Sequence, residues 1–138
     1  MPTFVEMDER STLSAQMEQE VGPVVLINTF TVNAGEAPQL LKAWAADAAW
    51  MRQQPGFIST QLHRGIAGSC VFLNYAVWES TEHFKRAFID PEFRSHLAHY
   101  PPSWQYPGFV WRKGPRNKDS ILSIHDALCP TADSNCHC

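Results

Sequence analysis

Apolar and polar residues recur along this chain with two different periods, and the switches between them mark out its elements. Val24-Val25-Leu26-Ile27-Asn28-Thr29-Phe30-Thr31-Val32 reads as a strand. Gly35-Glu36-Ala37-Pro38 then opens a helix on which Leu40, Leu41, Trp44, Ala48 and Met51 recur at helical spacing, until Gln53-Gln54-Pro55-Gly56 stops it. Phe57 to Arg64 reads as a second strand, Gly65 to Ser69 as a hairpin loop, and Cys70 to Trp78 as the returning strand. Ser80 has the chemistry to cap a helix carrying Phe84, Ala87 and Phe88, and Asp90-Pro91 restarts it as a short segment with Phe93 and Leu97 inward. Pro101-Pro102 ends that segment, Tyr106 to Arg112 makes a last short strand, and Gly114-Pro115 releases the chain.

The order βαββαβ predicts an α+β, ferredoxin-like domain over residues 22–114, flanked by a polar N-terminal arm (1–21) and a flexible C-terminal tail (115–138). Two helices cover one face of a four-stranded antiparallel sheet. The other face is left open, with Phe30, Phe72 and Trp78 as candidates for it. A second copy facing it across a two-fold axis would bury that apolar surface, so the expectation is a homodimer closing a dimeric α/β barrel.

Two residues break the strand pattern. Asn28 and Asn74 stand in the middle of strands, where asparagine is disfavoured because its amide competes for backbone hydrogen bonds. Burying an amide without partners costs on the order of 1–3 kcal/mol, so a chain that does this twice has a hydrogen-bond network or a polar ligand to satisfy it. The two-residue period puts Phe72, Asn74, Ala76 and Trp78 on one face, with the indole about 13 Å along the strand from the amide. An apolar cleft bearing a few amides suits a flat aromatic ligand.

Composition narrows the classes. At 138 residues and 44% hydrophobic content the chain has the length and apolar material for one core. A net charge of -3 gives no reason to expect nucleic acid or an anionic membrane, despite the local cluster Arg112, Lys113, Arg116 and Lys118. The longest aliphatic run, Val24 to Ile27, is far shorter than the stretch of about 20 residues that spans a bilayer. The first 22 residues lack the features of a secretion signal, so a cytoplasmic protein is expected. Cys70 and the tail residues Cys129, Cys136 and Cys138 do not form a disulfide framework, and Cys136-His137-Cys138 lacks the paired spacing of a zinc site. No metal site is expected.

The ordered series Asn28 to Val32, Gly35-Glu36, Met51 to Ile58, Leu62-His63-Arg64 and Asn74 to Ser80 resembles the antibiotic biosynthesis monooxygenase family over about residues 22 to 114. Within that family, the cofactor-independent enzymes that oxidise anthrones and anthracyclinones use an Asn on the first strand and an Asn-x-x-x-Trp motif on the third. Asn28, Asn74 and Trp78 match all three positions. The resemblance implies that these residues are catalytic. It also implies that O₂ reacts directly with a bound phenolic substrate, with no flavin, haem or metal. Phe30, Phe72, His63, His96 and Trp104 are the candidate substrate contacts.

Other readings stay open. His63, His83, His96 and His99 are candidates for a general base near neutral pH, and His96 and His99 are one helical turn apart. Haem-degrading monooxygenases share the fold and the first-strand Asn, with a Trp and an axial His in the second helix. Here the stretch Phe84 to Phe88 and Phe93 to Leu97 has no Trp, and its histidines are displaced by one or two positions. A non-catalytic small-molecule binder and a quinol-oxidising enzyme also fit the fold.

Overall fold

The computed structural model describes residues 3–101 and 105–113. The elements are β1 (Thr3–Glu6), α1 (Leu13–Met17), β2 (Val24–Thr31), α2 (Ala37–Met51), β3 (Phe57–Arg64), β4 (Val71–Trp78), α3 (Thr81–Ile89), α4 (Pro91–His96) and β5 (Gln105–Arg112). The sheet order is β1-β5-β2-β4-β3. Its last four strands are antiparallel neighbours in the ferredoxin-like order, and β1 adds to the β5 edge in parallel.

Local chemistry sets the helix starts. The Ser80 hydroxyl accepts from the amide of His83 at 3.2 Å, and the Asp90 carboxylate accepts from Glu92 N at 2.8 Å with Pro91 in the first turn. Gly56, at φ +81°, makes the turn from α2 into β3 beneath the His83 ring, where a Cβ would lie 2.2 Å from His83 Cγ.

The segment expected as a polar arm carries β1 and α1 instead. Thr12 caps α1, Leu13 is buried against the core, and Gln16 Oε1 accepts from Val110 N of β5 at 2.9 Å. Glu6, Thr12 and Gln16 accept from backbone amides, so the segment packs through polar side chains whose polarity gave no sign of it. The tail at 115–138 lies outside the described residues.

A second correction concerns the sheet faces. Register pairs Val24 with Trp78, Leu26 with Ala76, Asn28 with Asn74 and Phe30 with Phe72, so all eight share one face. That face lies under the helices. Leu26, Ala76 and Trp78 pack with Phe84, Ala87, Phe88 and Phe93, while Phe30 and Phe72 pack with Ala37, Leu40, Ala43 and Tyr100. Phe30, Phe72 and Trp78 are therefore buried and not on the open face. The opposite parity carries Val25, Ile27, Leu73, Tyr75, Val77, Phe109 and Trp111, and that set makes the outer face apolar.

Candidate functional site

The Asn28–Asn74 row lies between the two hydrophobic clusters, where sheet and helices separate into a cavity of about 570 Å³ counting its open mouth. Its walls are mostly apolar, with Leu26, Ala76, Trp78, Phe84, Phe88 and Phe93 on one side and Phe30 and Tyr100 on the other. Phe57 meets Trp78 edge to face at 5.4 Å, and Phe84 tilts against it at 6.0 Å. A one-residue bulge between Phe57 and Ser59 makes this contact. It turns Phe57 toward Trp78 while leaving Thr60 and Leu62 on the same inner face.

The amides are ordered by one-way donors. Trp44 Nε1–H donates to Asn74 Oδ1 at 3.3 Å, and Thr60 Oγ1–H donates to the same oxygen at 2.7 Å. An indole N–H can only donate, so the atom of Asn74 facing it is the carbonyl oxygen. Asn74 Nδ2 then donates to Asn28 Oδ1 at 2.9 Å, which leaves Asn28 Nδ2 as the end of the chain. Asn28 is 3% exposed and Asn74 8%, yet neither Asn28 Nδ2 nor the second Asn74 N–H meets an acceptor among the described residues. The indole N–H of Trp78, 1% exposed, also has no acceptor among them. Buried donors are nearly always paired, and these three belong to residues that border one cavity.

On the helical wall, Asp47 is 6% exposed and lines the cavity from α2. His96 Nδ1 shares a hydrogen bond with its Oδ1 at 2.9 Å, and the Tyr100 hydroxyl donates to its Oδ2. Burial pushes the Asp47 carboxyl above its usual 3.8, opposed by the hydrogen bonds from Tyr100 and His96 and by the nearby His96 and His99.

The structure brings Asn28, Asn74, Trp78 and Phe30 to one cavity. Phe72 is buried beside it, in the α2 cluster, and does not line it. His96 stands behind Asp47, its ring edge-on to Trp50 and stacked on His99. His63 does not line this cavity: it is exposed, and its parity, opposite to that of Leu62, turns it to the outer face. Trp104 lies outside the described residues. Sequence reasoning passed over Trp44, Thr60, Asp47 and Tyr100. Asp47 did leave a signal, an acid within the apolar stripe of α2, between Leu40 and Met51.

The model for the family described as antibiotic biosynthesis monooxygenase matches residues 23–99. A haem oxygenase (mycobilin-producing) of Mycobacterium tuberculosis is 36% identical over 77 residues, covering 56% of this chain and 73% of the relative. Deoxynogalonate monooxygenase of Streptomyces nogalater is 36% identical over 75 residues, covering 54% of this chain and 63% of the relative. Among solved structures, SnoaB, a cofactor-independent oxygenase from Streptomyces nogalater, superposes with a TM-score of 0.66 at 25% identity, covering 72% of this chain and all of that one.

Proposed function

The chain belongs to the antibiotic biosynthesis monooxygenase family, and from that premise we propose that it oxygenates an anthrone- or quinol-like phenolic substrate with O₂ and no cofactor. The relatives support the class: one is named deoxynogalonate monooxygenase, and SnoaB is described as a cofactor-independent oxygenase. The observation that carries the reading is that Asn28, Asn74 and Trp78 border one apolar cavity, while Asn28 Nδ2–H, the second Asn74 N–H and Trp78 Nε1–H have no acceptor among the described residues.

Triplet O₂ does not combine with a closed-shell molecule in one step, so the substrate must first supply an electron from its own anion. The substrate anion passes one electron to O₂. With an anthrone, the two radicals then join as a peroxide at the former methylene carbon, which loses water to become a carbonyl. In sum, CH₂ and O₂ give C=O and H₂O, with one oxygen atom in each product. Negative charge builds on the substrate oxygen and then on the peroxide. Preorganised amide donors in a dry pocket stabilise such charge far better than water does, and removing one such donor typically costs about 100- to 1,000-fold in rate. Trp78, Phe57 and Phe84 supply flat surfaces for the rings.

Haem degradation is the second reading, favoured by the mycobacterial relative. Haem iron needs an axial donor facing the cavity. Among the described residues no histidine lines the cavity, and the Tyr100 hydroxyl is held by Asp47. As arranged, these residues do not fit haem, and no step is derived through it.

We infer further that the outer face, with Leu73, Tyr75, Val77, Phe109 and Trp111, joins a second copy across a two-fold axis. The test of function is an oxygen electrode with purified, chelator-treated protein and a panel of anthrones and quinols. Uptake above the uncatalysed rate is expected. Uptake that starts only once haem is added, together with a Soret band on binding, would favour the second reading.

A further inference from the structure

Electron transfer to O₂ requires a substrate anion, and the amide row cannot make one, because all its free groups donate. Among the described residues that line the cavity, Asp47 is the one carboxylate. Tyr100 and Asp47 both line it, and the Tyr100 hydroxyl donates to Asp47 Oδ2 while His96 Nδ1 holds Oδ1 at 2.9 Å. The other hydroxyl in the lining, Thr60, is committed to Asn74.

We propose that Tyr100 and Asp47 form a proton relay that ionises the bound substrate, with His96 as the positioning residue. The inference rests on the phenolic-substrate reading above. The substrate's phenolic or enolic O–H bond breaks and its electron pair stays on the substrate oxygen. The proton passes to Tyr100 Oη as the Tyr100 proton passes to Asp47 Oδ2. Asp47 is left as a neutral acid, and it returns the proton by the reverse path when the peroxide loses water, so the cycle needs no net proton.

The surroundings suit this. The groups facing Asp47 are Tyr100 and His96, with His99 beyond them on the same stretch of chain. From the sheet come the neutral Asn28 and Asn74, which border the same cavity. Burial already favours the protonated carboxyl, which is the state in which the relay leaves it.

The probe is a hydroxyanthrone whose neutral and anionic forms absorb at different wavelengths, titrated without O₂ against the wild type, Asp47→Asn and Tyr100→Phe. Tyr100→Phe removes one oxygen and keeps the ring stacked on Phe30, so it guards against misfolding of the Asp47 variant. Wild type is expected to bind the anion at least one pH unit, about tenfold in proton affinity, below the pH where the free probe ionises. Both variants are expected to lose that shift. With O₂, both should lose about 100-fold or more in kcat with little change in KM, and the deficit should shrink above the pH where the substrate ionises by itself. Equal ionisation of the probe by all three proteins, or a kcat deficit constant across pH, would overturn the relay. Wild type that ionises the probe but consumes no O₂ would support the relay and sink the monooxygenase reading. O₂ uptake with variants as fast as wild type would sink the relay alone.

Discussion

Replacing Asn28 by alanine separates catalysis from stability more cleanly than any other change at the site. Among the described residues Asn28 has one protein hydrogen bond through its side chain, accepted by Oδ1 from Asn74 Nδ2, while Asn74 has three, to Asn28, Thr60 and Trp44. A neutral hydrogen bond contributes about 0.5–1.5 kcal/mol net. Adding the small void left in a buried position, Asn28→Ala should cost about 1–2 kcal/mol, or roughly 4–8 °C in Tm for a domain of this size. Asn74→Ala should cost about twice that, because it also strands the Trp44 N–H and the Thr60 hydroxyl. Turnover should fall about 100- to 1,000-fold for both, since each removes a donor to the developing oxyanion. The assay is O₂ uptake with an anthrone beside a melting curve for each variant. Turnover within a few-fold of wild type, with the two melting temperatures falling far apart, would show that the amides hold the sheet together and do no chemistry.

The Asp47 carboxyl is raised above its ordinary 3.8, so its ionisation opposes folding: its contribution to stability is fully present below 3.8 and is lost as pH rises through the raised value. The melting temperature of Asp47→Asn should therefore gain on wild type as pH rises from about 4 and level off beyond that value, whereas a difference constant with pH would refute the sign. Leu73→Glu on the outer face should convert a dimer of twice 15.6 kDa into a monomer by light scattering, and wild type already monomeric at micromolar concentration would remove the basis for it. His63→Ala, exposed and turned away from the cavity, should leave kcat and KM unchanged, and a tenfold loss would place it back in the site.

Asn28 and Asn74 were legible because an amide in mid-strand violates a local preference, and Trp78 followed from the two-residue period. The elements of the central domain were legible for the same reason, since their caps and turns are local. Which face the helices cover was not: Val25, Ile27, Leu73 and Val77 make the other parity as apolar as the first, so periodicity could not choose between them. The bulge between Phe57 and Ser59, which the sequence does not announce, puts Phe57 on the inner face and shifts the parity of the residues after it, so that His63 faces outward. Trp44, Thr60 and Tyr100 stayed hidden because each joins the site through a contact 14 to 53 residues away in sequence, the longest between Tyr100 and Asp47.

Direct oxygenation without a cofactor is tested most directly by a single turnover of chelator-treated, haem-free protein with an anthrone under ¹⁸O₂, read by mass spectrometry of the product. The expected result is one ¹⁸O in the new carbonyl, one O₂ consumed per substrate, and both lost together in Asn28→Ala. Product labelled from water, or no product until haem or a metal is supplied, would contradict it.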